Sequence, residues 1–321
     1  MKNLRIVYMG TPDFAVAPLG SLLMNGFNIA GVVTSPDKPA GRGMKIGISP
    51  VKKFAQSNML QLYQPENLKS PDFIAALEKL EPDIFIVVAF RMLPEVVWSI
   101  PEMGTINLHA SLLPHYRGAA PVNHALINGE SVTGVTTFLI DDKIDTGKIL
   151  MREEVQIFPC DNAGDLRDRL MKHGARLIIS TITAMAEDRI MPRPQSDFIL
   201  PGEILKPAPK IYPSGFIIDW HKDAVTIHNL VRGLAPQPGA RFTLKNSSSE
   251  RVIKVLESLP EEKEHTLEHG QIITDGKEYL KIACRNGFVS ILNLQPEGRK
   301  IMSTRDFLRG CKINDYHTRI S

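Results

Sequence analysis

Leu4-Arg-Ile-Val-Tyr-Met9, then Phe14 to Asn25, then Ile29-Ala-Gly-Val-Val33: the chain opens with an apolar strand-like run, a segment of helical spacing stopped by Gly26, and a second short run rich in Val. Runs that are apolar at every position suit strands buried on both faces, as in a parallel sheet covered by helices. The alternation continues through an amphipathic stretch, Pro71 to Leu80, and the apolar run Asp83-Ile-Phe-Ile-Val-Val-Ala89. Thr105 to His109, Val135 to Ile140 and Ile149 to Ile157 add strands, and Leu166 to Met185 reads as a long closing helix. This order predicts an α/β fold with a doubly wound parallel sheet over residues 1–188.

Beyond it, residues 189–213 contain Pro192, Pro194, Pro201, Pro207, Pro209 and Pro213, which regular helix does not tolerate. They read as an extended connector. Residues 214–321 then carry one helical segment, Ala224 to Leu234, and short β-like runs at Arg241–Leu244, Val252–Leu256, Gln271–Thr274, Tyr279–Cys284 and Phe288–Leu294. A small C-terminal β-barrel is expected there. Ser303-Thr-Arg-Asp306 has the spacing of a capping box and starts a last short helix.

Composition excludes several classes. The 321 residues are 43% hydrophobic and 23% charged, ordinary values for a globular chain with room for two cores. The three cysteines, Cys160, Cys284 and Cys311, are widely spaced and form neither a C-x-x-C pair nor a Cys/His cluster, so no disulfide framework or zinc site is expected. No segment reaches the length of a membrane span, and a reducing cytoplasm is the expected compartment. The net charge of +3 is uneven: residues 206–321 hold 18 Lys and Arg against 13 Asp and Glu. That part is the better candidate for touching phosphates, although such a balance also suits a plain solvated surface.

A doubly wound opening raises the question of a dinucleotide. The first turn, Met9-Gly-Thr-Pro-Asp-Phe-Ala15, has one glycine where G-x-G-x-x-G needs three, and Pro12 and Asp13 stand where backbone would approach a pyrophosphate. Hydride transfer is therefore not expected, and Gly10 reads as a tight turn.

Chemistry concentrates in Gly104-Thr-Ile-Asn-Leu-His-Ala-Ser-Leu-Leu-Pro-His-Tyr-Arg-Gly-Ala-Ala-Pro121. On a strand Asn107 and His109 share a face, and they lie toward the carboxyl end, where open α/β sheets bind ligands. Downstream, Ile140-Asp-Asp-Lys-Ile-Asp-Thr-Gly147 runs a strand into a loop with three carboxylates. Asp141, Asp142 and Asp145 also suit plain turn positions. A carboxylate beside a histidine, however, fixes its orientation and stabilises its cation, and Asp145 then completes an Asn, His, Asp set with no side-chain nucleophile.

Asn107-x-His109, Ser111-Leu-Leu-Pro114, Tyr116-Arg-Gly118 and Asp145-Thr-Gly147 resemble the folate-dependent formyltransferases. Gly10-Thr-Pro-Asp-Phe-Ala15 and Pro36-Asp-Lys-Pro-Ala-Gly-Arg-Gly-Met-Lys45 extend the likeness to the members that formylate methionyl-tRNA. The resemblance implies a Rossmann-like catalytic domain followed by an OB-like, tRNA-binding barrel. It implies 10-formyltetrahydrofolate as co-substrate, initiator methionyl-tRNA as acceptor, no metal and a monomer. It assigns Asn107, His109 and Asp145 to catalysis, with Asn107 and protonated His109 donating hydrogen bonds to the formyl oxygen. Ser111, Leu112, Leu113 and Pro114 fall in its folate turn. It makes the basic stretch from Thr34 to Gly47 a tRNA contact through Arg42, Lys38 and Lys45; by itself that stretch reads as a flexible surface loop. One departure is the connector before Ile217-Ile-Asp-Trp220, richer in proline than is usual for the family, which leaves Lys206 and Lys210 as lesser candidates.

Four rivals stay in view, among them the formyl-folate hydrolase domains, which share the trio. The purine-pathway formyltransferase is usually a single domain. The enzyme formylating UDP-amino-arabinose shares the trio but is expected to carry glycine where this chain has Ala110. A non-catalytic RNA-binding scaffold would leave the trio unexplained.

Overall fold

In the computed structural model, residues 4–40, 45–246, 249–311, 313 and 316–318 are described. The chain divides into two compact units: Met1–Gly118, Val132–Gln156 and Arg167–Pro207 form one, and Ala119–Ser131, Ile157–Leu166 and Ala208–Ser321 the other. Residues 189–207, read above as connector, thus pack with the first unit.

The first unit is built on β1 (Arg5–Gly10), β2 (Asn28–Val33), β3 (Lys38–Ala40), β4 (Lys45–Gly47), β5 (Leu62–Tyr63), β6 (Ile84–Val88), β7 (Thr105–His109), β8 (Val132–Leu139) and β9 (Ile149–Gln156). Seven of these make one sheet in the order β5-β2-β1-β6-β7-β8-β9. Within this sheet the strands up to β7 pair in parallel, whereas β8 runs antiparallel to both β7 and β9. The expected parallel sheet is therefore present, and an antiparallel pair extends its edge.

All five residues of β6 are buried, which accounts for its unbroken apolar run. Val7, Met9, Val33, Phe73, Leu77, Phe85 and Val87 form the core on one face of this sheet. Phe73 and Leu77 come from the helix Pro71–Glu78, whose first turn is capped by Ser70: its Oγ accepts a hydrogen bond from the Phe73 N–H at 3.3 Å. Gly10 is a matter of space, since a Cβ there would sit 2.6 Å from the Ala15 Cβ and 3.1 Å from the Val88 carbonyl. Gly10 ends β1 without a positive φ, so close approach of neighbouring chain and not a left-handed turn calls for glycine there.

The second unit holds β10 (Ala240–Lys245), β11 (Glu250–Glu262), β12 (Ile272–Thr274), β13 (Leu280–Cys284), β14 (Gly287–Pro296), β15 (Met302–Ser303) and β16 (His317–Thr318). They pair antiparallel in the order β12-β13-β14-β11-β10-β16, with β15 on β14, as a nearly closed barrel. Thr318 helps closure by donating from Oγ1 to the Gly270 carbonyl at 2.6 Å, just before β12. The core gathers Trp220, Phe242, Ile253, Val255, Ile282 and Leu294 around the helix Ala224–Leu234, whose Ile227, Val231 and Leu234 supply one apolar stripe. Ser303 caps the last helix through the Asp306 N–H at 3.1 Å, as its spacing predicts.

His228 on that inner helix meets Ser258 Oγ at 3.1 Å, and burial, then the Arg232 charge, hold its pKa below the ordinary 6.5. The unfolded chain therefore takes up this proton more readily than the folded one, and stability rises with pH across that window. As pH falls through about 6.5, His228 weakens the second unit. Thermal unfolding followed at pH 7.5 and 5.5 is expected to show a smaller acid loss for His228→Gln than for the parent. An unchanged difference would reject this account.

Candidate active site

Asn107 and His109 stand on one face of β7, two residues apart, near the carboxyl ends of the parallel strands. His109 is 7% exposed, and its ring is held from both sides. Nε2 lies 2.8 Å from the Tyr116 carbonyl; because a carbonyl only accepts, Nε2 carries the proton in that bond. Nδ1 faces the Asp145 carboxylate, with Oδ2 at 3.7 Å, an ion-pair distance too long for a hydrogen bond. Nδ1 is thus the ring atom left for chemistry. Among the described residues the Asn107 carboxamide makes no hydrogen bond, which leaves its N–H donors uncommitted.

The structure brings Asp145 to His109 through loop geometry that sequence spacing does not reveal. Asp145 has φ 55, in the left-handed region that Asp and Asn tolerate better than most residues. Such a conformation costs about 1–3 kcal/mol and persists where surrounding bonds enforce it. Three do so: Asp145 Oδ2 accepts from the Gly118 N–H at 2.9 Å, and Gln195 Nε2 donates to the Asp145 carbonyl at 2.8 Å and the Gly147 carbonyl at 2.9 Å. At about 1 kcal/mol each they offset the strain. Gly147 has no alternative, since a Cβ there would lie 1.6 Å from the Leu139 carbonyl oxygen. Asp141 plays a different part, accepting from Thr146 Oγ1 at 2.7 Å and from the Lys143 N–H at 3.1 Å, as a turn residue does.

The Ser111–Pro114 turn is packed, with Ser111, Leu113 and Pro114 buried and Leu112 half-buried. Thr136 on β8 donates from Oγ1 to the Ser111 carbonyl at 2.7 Å and accepts from the Leu113 N–H at 3.1 Å. Ser111 Oγ donates to the His115 carbonyl at 2.7 Å. These side chains therefore shape the loop that follows. Tyr116 has φ 60 and its N–H donates to the Lys206 carbonyl at 2.6 Å, which aims the Tyr116 carbonyl at His109.

His115 Nε2 pairs with Glu203 at 2.9 Å. The Leu200 N–H, then His115, hold the Glu203 carboxyl below its usual range. Sequence reasoning passed over Tyr116, whose carbonyl accepts from His109, together with Thr136, Glu203 and above all Gln195. The last two sit in a proline-rich stretch whose pattern signals only an extended chain.

The basic stretch after β2 is not a bare loop. β3 and β4 pair antiparallel, Lys38 with Gly47, and its base is tied by Lys52 to Asp37 at 2.5 Å and by Gln64 to Asp37 at 2.9 Å. Those two contacts hold the Asp37 carboxyl below its usual range. Lys38 is exposed at the start of β3. Arg42 lies outside the described residues, as does the side chain of Lys45. No helix among the described residues is long and apolar enough to cross a membrane.

A family model for formyl transferases matches residues 3–182, and one for the formyl transferase C-terminal domain matches residues 210–312. A methionyl-tRNA formyltransferase of Bacteroides fragilis is 49% identical over 315 residues, covering 98% of this chain and 97% of that protein. Its namesake in Flavobacterium johnsoniae is 48% identical over 315 residues, covering 98% of both chains. Among solved structures, the sugar 3N-formyl transferase WlaRD, determined with dTDP and 5-N-formyl-THF, superposes with a TM-score of 0.63 at 20% identity, over 94% of this chain and 100% of that one. HypX from Aquifex aeolicus, in complex with tetrahydrofolic acid, gives 0.62 at 17% identity, over 96% of this chain and 47% of that one. With both family models and full-length relatives at this identity, the chain belongs to the formyltransferase family.

Proposed function

We propose that this chain transfers the formyl group of 10-formyltetrahydrofolate to the α-amine of initiator methionyl-tRNA, giving N-formylmethionyl-tRNA. The observation that carries the reading is His109, with Nε2 engaged by the Tyr116 carbonyl and Nδ1 facing Asp145 Oδ2 at 3.7 Å, beside the uncommitted amide of Asn107. Relatives named methionyl-tRNA formyltransferase, alike over nearly the whole chain, support the choice of acceptor.

The folate, when bound, supplies an activated formyl carbon. The rest is the protein's work. A free α-amine has a pKa of about 7.7–8.0, and an aminoacyl ester should lie lower, so the attacking nitrogen needs no strong base. Asn107 donates to the formyl oxygen as negative charge gathers there, a contribution of about 3–4 kcal/mol for one such donor. His109 donates through Nδ1 as an imidazolium, and Asp145 balances that charge and keeps the ring in place. One proton must leave the amine as the new C–N bond forms, and one must reach the departing folate nitrogen; the His109–Asp145 pair, with water, moves it.

In this reading residues 1–188, with 189–207 packed against them, hold the chemistry, and residues 214–321 hold the tRNA. The Ser111–Pro114 turn borders the folate. Lys38, Arg42 and Lys45 meet acceptor-arm phosphates, which makes binding weaken with salt. The protein acts in the cytoplasm as a monomer.

The test is formyl transfer to charged initiator methionyl-tRNA beside elongator methionyl-tRNA and a UDP-amino sugar. Product on initiator tRNA alone is expected. Product on the sugar alone would keep the chemistry and overturn the acceptor, and no product on any of the three would overturn the reading.

A further inference from the structure

Gln195 carries no chemistry of its own, yet its side chain is buried, at 4% exposure. Both halves of its amide are used. Nε2 donates to the carbonyls of Asp145 and Gly147, and Oε1 accepts from Arg117 Nε at 3.0 Å and Nη2 at 2.6 Å. Arg117 is the neighbour of Gly118, whose N–H holds the Asp145 carboxylate at 2.9 Å. The contacts therefore close a ring: Arg117 to Gln195, Gln195 to the backbone of Asp145, the Asp145 carboxylate to Gly118, and Gly118 back to Arg117. Two segments far apart in sequence are locked to each other through one side chain.

We infer that Gln195 is a positioning residue for the reaction, setting the Asp145 carboxylate against His109 Nδ1; the inference rests on the formyl-transfer reading above. The physical reason lies in the backbone. Asp145 sits in a left-handed conformation that its own sequence does not favour, and two of the bonds enforcing it come from Gln195. Release of the loop moves the carboxylate, and a misplacement of roughly 1 Å at a reacting constellation costs about 10²-fold in rate. No other side chain of this length offers two N–H donors beside an acceptor. Glu keeps the acceptor for Arg117 but turns an oxygen toward two carbonyls, and Met keeps only the shape.

The experiment is steady-state formyl transfer by Gln195→Met and Gln195→Glu, with folate and tRNA each varied and thermal unfolding measured alongside. The expected result is a kcat lowered about 30-fold in each, with KM for both substrates within about threefold of the parent. Gln195→Met added to Asp145→Asn is expected to cost less than about twofold, because the charge being positioned is already gone. Should Gln195→Met fail to accumulate as folded protein, Gln195→Glu carries the comparison. Parental kcat in a folded variant, a loss confined to KM, or an undiminished loss in the Asp145→Asn background would each overturn the inference. Absence of transfer by the parent would instead overturn the formyl-transfer reading, and this inference with it.

Discussion

His109→Ala is expected to lower kcat for formyl transfer by about 10³- to 10⁴-fold, the largest single effect in this protein. Nδ1 of the ring faces the Asp145 carboxylate at 3.7 Å, and in the proposed mechanism its loss removes proton movement and charge stabilisation together. The substitution also strips the Tyr116 carbonyl of its donor, at a cost of about 1–3 kcal/mol in stability. His109→Gln separates the two losses, since its amide nitrogen can donate in place of Nε2 while nothing replaces the imidazole. Both variants should be inactive, with His109→Gln the more stable in thermal unfolding. Turnover near the parental rate in either one contradicts the mechanism.

Asp145→Asn is expected to lower kcat about 10²- to 10³-fold with little change in KM or stability. Asn is the informative replacement because it tolerates a φ of 55 and keeps an oxygen for the Gly118 N–H. What disappears is the negative charge 3.7 Å from Nδ1. A purely structural Asp145 would leave kcat unchanged in this variant, and kinetics beside the unfolding curve decide between the two. Asp145→Ala, by contrast, gives up the Gly118 bond and should lose stability as well.

These expectations have unequal roots in the sequence. The strands of the first unit were legible because a buried parallel strand is apolar at every position, and Ile84–Val88 can hardly be read otherwise. The two-residue strand Leu62–Tyr63 and the seven-residue helix Pro121–Ile127 were passed over, since neither is long enough to show a period. The direction of β8 was equally hidden: antiparallel and parallel pairing place the same residues in the core. The ribbon β3–β4 escaped because its glycines and prolines signal a loop.

By itself, then, the sequence determined an α/β sheet with a barrel after it, because core composition is set residue by residue through burial and β-branching. It also determined that Asn107 and His109 share one face, because strand alternation is a local rule. Only the tertiary structure decided that Asp145 meets His109, that a carbonyl at Tyr116 commits Nε2 and leaves Nδ1 free, and that Gln195 ties the two loops together. Those facts rest on backbone groups and on contacts spanning up to 78 residues. A hydrogen bond to a main-chain carbonyl names no residue type at its far end, so no local pattern records it.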